Sequence, residues 1–422
     1  MRETIKKLER LSGGKEVALW GEGASTRSAE KLFAKAGIPC RYYADGGANF
    51  DESAAKNHRL AVYSPAFQNS HKFFEAAKKA NVATLGEPDI AGMCWNGKII
   101  AITGTNGKTT LTSFLAHALN KAGCAAVSAG NIGTPLCEFI ESDIESRIAV
   151  CEISSFQAMR LKYLRPDACL WTNFAPDHLD WHIDMREYFL AKLELARLLK
   201  KEIFIIGKSV ADFAAAEKIA LPDFAQIAEK GSVQNPPPPF DNSIQSENFA
   251  LALAFWRKWA LPEEALYGAA KEFSLAQFRF AKTAEICGAA FINDSKATNA
   301  HAAIAALREL KGKRIFWIGG GKNKNCGNSE LAQCLRECAE GACLIGQTAE
   351  ILKNEIKSLP KGIFTCKTLQ EAVEIAFENS KNGGNVLFSP AFSSFGMFKS
   401  YADRGRAFDA AVSKIGLSEA NR

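Results

Sequence analysis

An apolar run, Lys98–Ile102, feeds directly into the glycine loop Gly104-Thr105-Asn106-Gly107, and Lys108-Thr109-Thr110 then opens a helical stretch reaching about Ala122. An apolar run without alternation reads as a strand buried on both faces, which is the habit of parallel sheets covered by helices. The glycines let backbone N–H groups approach phosphate oxygens closely. A lysine in that place neutralises the β- and γ-phosphates of a nucleotide, and the Thr109 hydroxyl is placed to bind Mg²⁺. The common spacing G-x-x-x-x-G-K-[ST] would put a glycine at position 102. Ile102 stands there and Gly104 follows two residues later, so this is a variant phosphate loop.

The same strand–helix alternation runs through the chain. Val17–Trp20 reads as a strand, Gly21-Glu-Gly23 as a turn and Ser25–Lys35 as a helix. Thr26 occupies the place of the third glycine of a dinucleotide fingerprint, so a ligand-free tight turn stands beside a phosphate site there. Leu60–Tyr63 is a second strand, ending in Ser64-Pro65. Strands are expected at Arg147–Ile153, Ala168–Thr172 and Glu202–Ile206, with helices at Glu187–Lys200 and Glu247–Trp259. Beyond Leu275, strands Ala290–Ile292, Arg314–Ile318, Ala342–Ile345 and Asn385–Phe388 alternate with helices Ala300–Leu310, Ser329–Ala339 and Leu369–Asn379. Asn235–Phe240, with its consecutive prolines, reads as a stiff surface loop. The expectation is α/β in three domains: a Rossmann-like domain over residues 1–94, a central mononucleotide-binding doubly wound sheet over 95–275, and a Rossmann-like C-terminal domain over 276–422.

Composition removes several alternatives. With 47% apolar and 23% charged residues the chain is an ordinary globular one. Its net charge of +6 is dispersed, with no block of like charges, so no nucleic-acid partner is expected. The longest apolar runs, such as Phe249–Trp256, fall short of the roughly 20 residues a membrane-spanning helix needs. The N-terminal stretch MRETIKKLERLSGG is charged and has no apolar core, unlike a signal peptide. The 12 cysteines include no Cys-x-x-Cys pair. Reduced thiols in a cytoplasmic protein are therefore expected.

Further motifs, in order, resemble a family. Thr103–Thr110 resembles the ATP loop of the Mur ligases and of the related folylpolyglutamate synthases. Gly130-Asn131-Ile-Gly133 resembles the substrate loop of the Mur ligases, and Glu152-Ile-Ser-Ser-Phe-Gln157 a magnesium-binding strand end of their D-glutamate-adding members. Asn173, Asp177-His178 and Asp180 match an N-x-x-x-D-H-x-D segment, and Ala191-Lys192 the place of a modified lysine. Asn293-Asp-Ser-Lys-Ala-Thr-Asn299 and Ser389-Pro-Ala-Phe-Ser-Ser-Phe395, followed by Phe398-Lys399 and Arg404-Gly405, match two signatures of those same members. The family's His-Arg before the third domain reads Phe278-Arg279, so the arginine alone carries over. In Gly319-Gly-Gly-Lys322-Asn-Lys324, either lysine can stand for the family's glutamate-contacting lysine.

The resemblance implies an ATP-dependent amide ligase that adds D-glutamate to UDP-N-acetylmuramoyl-L-alanine through an acyl phosphate, releasing ADP and phosphate. It implies a monomer working on small molecules. Gly104, Thr105, Asn106, Gly107, Lys108, Thr109, Thr110, Asn248, Arg279 and Asp294 would contact ATP. Thr109, Glu152 and His178, with Lys192 carbamylated, would serve two Mg²⁺ ions; Lys108, Glu152, His178 and Lys192 form the catalytic set. Lys296, Thr298, Ser394 and the backbone of Phe395 would contact glutamate, and Asn131, Ser64 and Asp45 the UDP-sugar. Read from the sequence alone, Lys192 is equally a surface helix lysine, and Phe395, Phe398 and Tyr401 recur every three residues like the core stripe of one helix. Three rival functions remain: a folylpolyglutamate synthase, a nucleotide-dependent switch without ligase activity, and a dehydrogenase resting on Gly21-x-Gly23.

Overall fold

The computed structural model describes residues 2–140, 147–229, 231, 233, 235–324 and 327–420. Its strands build three sheets, each flanked by helices. β1 (Val17–Trp20), β2 (Cys40–Tyr43), β3 (Leu60–Tyr63) and β4 (Ala83–Gly86) are all parallel, in the order β2-β1-β3-β4. β5 (Lys98–Thr103), β6 (Ala126–Gly130), β7 (Ile148–Glu152), β8 (Ala168–Trp171), β9 (Phe204–Gly207) and β10 (Ala225–Ala228) are also all parallel, in the order β10-β9-β8-β5-β7-β6. The third sheet holds β11 (Ala281–Ile286), β12 (Ala289–Asn293), β13 (Ile315–Gly320), β14 (Gly341–Ile345), β15 (Ile363–Thr365) and β16 (Asn385–Phe388). Its order is β11-β12-β16-β13-β14-β15, and β11 alone runs antiparallel to its neighbour.

The residues form two compact units. The first takes the chain up to Phe174 with Arg186–Pro238 and Glu247–Phe273, and carries the first two sheets. The second takes Ala175–Met185, Pro239–Ser246 and everything from Ser274 onward, and carries the third sheet. Ala175–Met185 thus packs with the C-terminal sheet although it lies within the stretch 95–275.

Inside the first unit, the two sheets are stapled by buried polar contacts. The Asp89 carboxylate accepts backbone N–H groups from Lys162, Tyr163 and Leu164, at 2.8–3.1 Å. Glu87 Oε1 accepts the Cys137 N–H at 2.7 Å, and the Arg160 guanidinium lies 3.3 Å from the Phe74 ring centroid. In the central sheet, β5 lies between β7 and β8. The chain leaves β5 towards β6 on one side and returns to β8 on the other, so the carboxyl end of β5 faces the switch point where open α/β sheets bind ligands. The third sheet buries Phe291, Phe316, Val386 and Phe388 on one face against the helices Leu369–Glu378 and Tyr401–Ala420.

One helix differs from expectation. The C-terminal helix begins at Tyr401, so Phe395 and Phe398 precede it and the three aromatic residues do not form one helical stripe. Phe398 packs against the core of the third sheet, while Phe395 is 59% exposed. The stretch Asn235–Phe240 has no helix or strand, as its prolines demand.

Candidate active site

The phosphate loop is held from behind by two elements of the central sheet. Gly104 has φ 142°, and a Cβ on it would lie 1.9 Å from Thr172 Oγ1, just past β8. Gly107, at φ 83°, caps the helix Lys108–Lys121, and a Cβ there would lie 2.5 Å from Asn248 Oδ1. Any other residue would be strained at both places and would collide with a neighbour. Asn173 pins the loop between them: its carbonyl accepts the Thr105 N–H at 3.0 Å, and its side-chain oxygen accepts the Asn106 N–H at 2.8 Å. Thr109 is half-buried in the first helical turn and Thr110 is buried beside it. The N-terminus of the helix Lys108–Lys121, with the positive end of its dipole, thus adjoins the loop.

Two lysines converge on this loop. Lys108 Nζ donates to the carbonyls of Gly104 and Thr105, each at 2.8 Å. Lys192 lies on the helix Met185–Arg197, is 1% exposed, and donates from Nζ to the same Gly104 carbonyl at 3.0 Å. The structure therefore discards the surface reading of Lys192. Its ammonium stands 4.7 Å from the centroid of the Tyr188 ring, and the Tyr188 hydroxyl lies 3.3 Å from Thr105 Oγ1. Tyr188 was not singled out by its sequence context. Its spacing of four from Lys192 on one helix was the available signal, since such residues share a face.

Glu152 ends β7 and is 3% exposed. Its Oε1 accepts the side-chain N–H of Asn131 at 3.0 Å, and its carbonyl accepts the Asn131 backbone N–H at 2.9 Å. The structure thus joins a candidate substrate residue to a candidate metal ligand. Oε2 is buried without a hydrogen-bond partner. A buried carboxylate oxygen left unpaired is costly, so this donor suits a hard cation such as Mg²⁺. Ser64 lies just past β3, its Oγ 3.5 Å from where a Cβ on Gly23 would be. It therefore stands at the glycine turn of the first sheet. Asp45 is exposed and paired with His71 at 2.9 Å.

The second unit brings together the remaining candidates from four motifs. Asp177 is buried; its Oδ1 accepts Lys324 Nζ at 2.7 Å and the His178 N–H at 2.9 Å, and its Oδ2 accepts the Asn299 side chain at 3.0 Å. Burial alone would raise this carboxyl, but His178, Lys324 and Asn299 outweigh it and hold the group at about 2. His178 itself has φ 58°, a left-handed backbone that costs a residue with a Cβ. Lys322 is exposed.

Arg279 sits between two further left-handed residues, Phe278 at φ 65° and Phe280 at φ 50°. Both flanks are tied down: the Phe278 carbonyl accepts the Lys296 N–H at 3.1 Å, and the Phe280 N–H donates to Asp294 Oδ1 at 3.0 Å. The Phe278 ring lies on Gly405, where a Cβ would come within 2.4 Å of it. Position 278 is thus a packing site in this chain. Asp294 also accepts the Ser389 hydroxyl at 2.8 Å. Burial, opposed by Ser389, the Phe280 N–H, Arg279 and Arg404, pushes the Asp294 carboxyl up to about 7. Lys296 Nζ stands 3.8 Å from the Tyr401 ring centroid, Thr298 is half-buried and Ser394 is buried, with exposed Phe395 after it. Arg404 is a strut: its guanidinium donates to Ser295 Oγ and to the carbonyls of Ser295 and Phe392, at 2.9–3.1 Å.

The first unit thus presents a nucleotide loop with a buried carboxylate near it, and the second a cationic cluster built on Asn293–Asn299. Comparison with known proteins gives the same division. The pattern of the Mur ligase middle domain matches residues 102–232, and that of the Mur ligase glutamate ligase domain matches residues 278–392. The UDP-N-acetylmuramoylalanine--D-glutamate ligase of Aquifex aeolicus is 32% identical over 414 residues, which is 93% of this chain and 97% of that protein. The chain belongs to the Mur ligase family. The enzyme of the same name from Caldicellulosiruptor bescii is 31% identical over 385 residues, 85% of this chain and 84% of the relative. Among solved Mur ligases, MurF from Acinetobacter baumannii superimposes with a TM-score of 0.62 at 15% identity, covering 97% of this chain and 98% of that one. At that identity the likeness speaks for the three-domain Mur ligase fold alone. Among the described residues, no helix is long and apolar enough to cross a membrane. The cysteines described are free thiols, and Cys326 lies outside the described residues.

Proposed function

We propose that this Mur ligase adds D-glutamate to UDP-N-acetylmuramoyl-L-alanine with ATP, making ADP and phosphate, as a cytoplasmic monomeric step of peptidoglycan precursor synthesis that serves cell-wall growth, cell shape and division. The observation that carries the reading is the pairing of the variant phosphate loop with the intact Asn293–Asn299 and Ser389–Phe395 segments, in a chain matching D-glutamate ligases over most of its length. Lys108 and the Gly104–Thr110 backbone hold the phosphates of ATP, with Asn248 behind the loop; Arg279 and Asp294 are assigned to the nucleotide by their place in the family's motifs.

Thr109, Glu152, Lys192 and His178 are the magnesium-holding groups by their place in the family's motifs. Bound there, Mg²⁺ neutralises charge on the transferring phosphoryl group. Lys192 in its amine form sets a second cation beside Lys108 on one carbonyl. Like charges so placed disfavour each other. Carbamylation of Lys192 replaces that cation with an anion, and we assign it this modification and two magnesium ions to the site. Asn131 orients Glu152 and, with Ser64, serves the UDP-sugar. Lys296, Thr298, Ser394 and the Phe395 backbone receive the carboxylates of D-glutamate.

Phosphate release measured with ATP, UDP-N-acetylmuramoyl-L-alanine and a panel of amino acids tests the whole reading. Release is expected with D-glutamate, with L-glutamate and D-aspartate disfavoured by up to roughly 10⁴-fold in kcat/KM, because a polar site rejects substrates that leave its buried groups unpaired. Equal use of L- and D-glutamate, or activity on a folate, would favour the folylpolyglutamate reading.

A further inference from the structure

A groove of about 580 Å³ lies between β11 and the C-terminal helix Tyr401–Ala420. That is the size of a small-molecule pocket. Ala284 and Ile286 line it from the strand, Val412 and Gly416 from the helix, and Phe278 and Asp409 complete the wall. Asp409 is the one charged residue of this lining. Its Oδ1 accepts the Asn293 side-chain N–H at 2.8 Å. Among the described residues its Oδ2 accepts no hydrogen bond, and the carboxylate has no ion-pair partner. Burial, opposed by the Asn293 bond, raises the carboxyl above its ordinary range. A half-buried carboxylate in an apolar groove favours a ligand that brings the missing cation. A further β-strand is a poor occupant. β11 is an edge strand, but its register slips between Lys282 and Ala284, and Lys282 and Glu285 are exposed along it. Bulges and charges of this kind block strand addition. Two residues of the lining also hold the segment Asn293–Asn299. Asn293, bonded to Asp409, donates to the Gly405 carbonyl at 2.9 Å as well, and its Oδ1 accepts the Ser295 N–H at 3.1 Å. The Phe278 carbonyl accepts the Lys296 N–H at 3.1 Å.

We infer that this groove binds a small organic amine with an apolar or aromatic body, its ammonium on Asp409, and that the bound amine braces the segment Asn293–Asn299. The ammonium takes up Oδ2, the carboxylate oxygen that Asn293 leaves unused. The apolar body covers Ile286 and Val412. The ligand then touches Asp409 and Phe278, which restrain the Ser295 and Lys296 amides through Asn293 and directly. The groove shares no residue with the nucleotide loop or with the residues assigned to glutamate. Binding there involves no turnover, so its test does not depend on the ligase reading.

The probe is tryptamine, with N-acetyltryptamine as the same body without the charge and indole-3-acetate as the same body with the opposite charge. Titration calorimetry on the full chain is expected to show saturable tryptamine binding, at least about 10-fold tighter than N-acetyltryptamine, because a hydrogen bond between charged groups is worth that much. Indole-3-acetate is expected not to bind. Asp409→Asn keeps an acceptor for Asn293 and should erase the advantage of the amine over its acetylated form. If that variant does not fold, the comparison of the three probes in the wild type carries the charge test. Gly416→Leu fills the groove. A Cβ there meets Ile286 at 3.5 Å, an ordinary contact, so the variant should fold and lose tryptamine binding. At saturation, amide hydrogen exchange at Ser295 and Lys296 is expected to slow about threefold or more in the wild type and to stay unchanged in Gly416→Leu. Equal affinity for tryptamine and N-acetyltryptamine, tryptamine binding that survives Gly416→Leu, or unchanged exchange at both amides would each overturn the inference. So would a concentration-dependent wild-type dimer that Gly416→Leu dissolves, which would give the groove to a second copy of the chain.

Discussion

Glu87 gives a measurable pH signature of the joint between the first two sheets. The side chain is 1% exposed; Oε1 accepts the Cys137 N–H, while Oε2 is buried with no hydrogen-bond partner. Burial pushes the carboxyl from its ordinary 4.5 up to about 7, against the pull of the Cys137 N–H. Folded, the group keeps its proton up to about pH 7; unfolded, it loses the proton near pH 4.5. Between those values the folded state holds an extra proton, so stability falls as pH rises. The contribution is complete below pH 4.5, is lost by about pH 7 and changes no further above it. At roughly 1.4 kcal/mol for each pH unit, the loss totals about 3 kcal/mol. Glu87→Gln has the same shape and no proton to lose. It should match the wild type at pH 4 and exceed it at pH 8 by about 3 kcal/mol, roughly 6–12 °C in melting temperature for a unit of this size. Thermal melts of both proteins at the two pH values decide the matter. A gap between them that does not change with pH would refute the reasoning.

Three further outcomes probe the nucleotide loop. Lys108→Ala should abolish phosphate release while leaving the melting temperature within a few degrees, because its charge stabilises the transferring phosphoryl group; near-normal turnover in folded protein would rule out the assignment. Lys192→Ala should lose most activity and regain part of it with added short carboxylic acids, and intact mass should show an added carbon dioxide on Lys192 in the native enzyme. Recovery with ammonium-bearing additives in place of acids would contradict a carbamate. Gly107→Ala places a Cβ at φ 83° against Asn248 and should cost at least about 1–2 kcal/mol of stability together with ATP affinity; unchanged ATP binding by titration calorimetry would show that the loop does not depend on this turn.

The ten strands legible in the sequence, β1, β3, β5, β7, β8, β9, β12, β13, β14 and β16, all lie inside their sheets. The six not recognised, β2, β4, β6, β10, β11 and β15, are the two edges of each sheet. An interior strand of a parallel sheet is buried on both faces and must be apolar throughout, as Val17–Trp20 and Phe204–Gly207 are. An edge strand such as Cys40–Tyr43 or Ala281–Ile286 faces water in part, and its mixed side chains carry no continuous apolar signal. The site was legible where a motif is continuous, as in Thr103–Thr110. Contacts reaching across the sequence, such as Lys324 to Asp177 or Lys192 to Gly104, depend on which loops the sheet order brings together. The helical stripe expected of Phe395, Phe398 and Tyr401 failed for a local reason: Gly396, at φ 99°, breaks any helix before Tyr401.

The chain crosses between its two compact units after Phe174, Met185, Pro238, Ser246 and Phe273. No single cut therefore separates them. A truncation at Phe273 keeps Ala175–Met185 and Pro239–Ser246, whose packing partners it has discarded, while the complementary fragment lacks both pieces. The same interleaving bears on synthesis. The helices Ser246–Lys258 and Glu263–Glu272 belong to the first unit, so its assembly waits until they have left the ribosome, and β11, the first strand of the next sheet, begins only nine residues later. Maturation on the ribosome should then proceed in two late steps, with the nucleotide loop made about a quarter of the way along the chain and closed from behind by Asn248 only when the chain is past half its length.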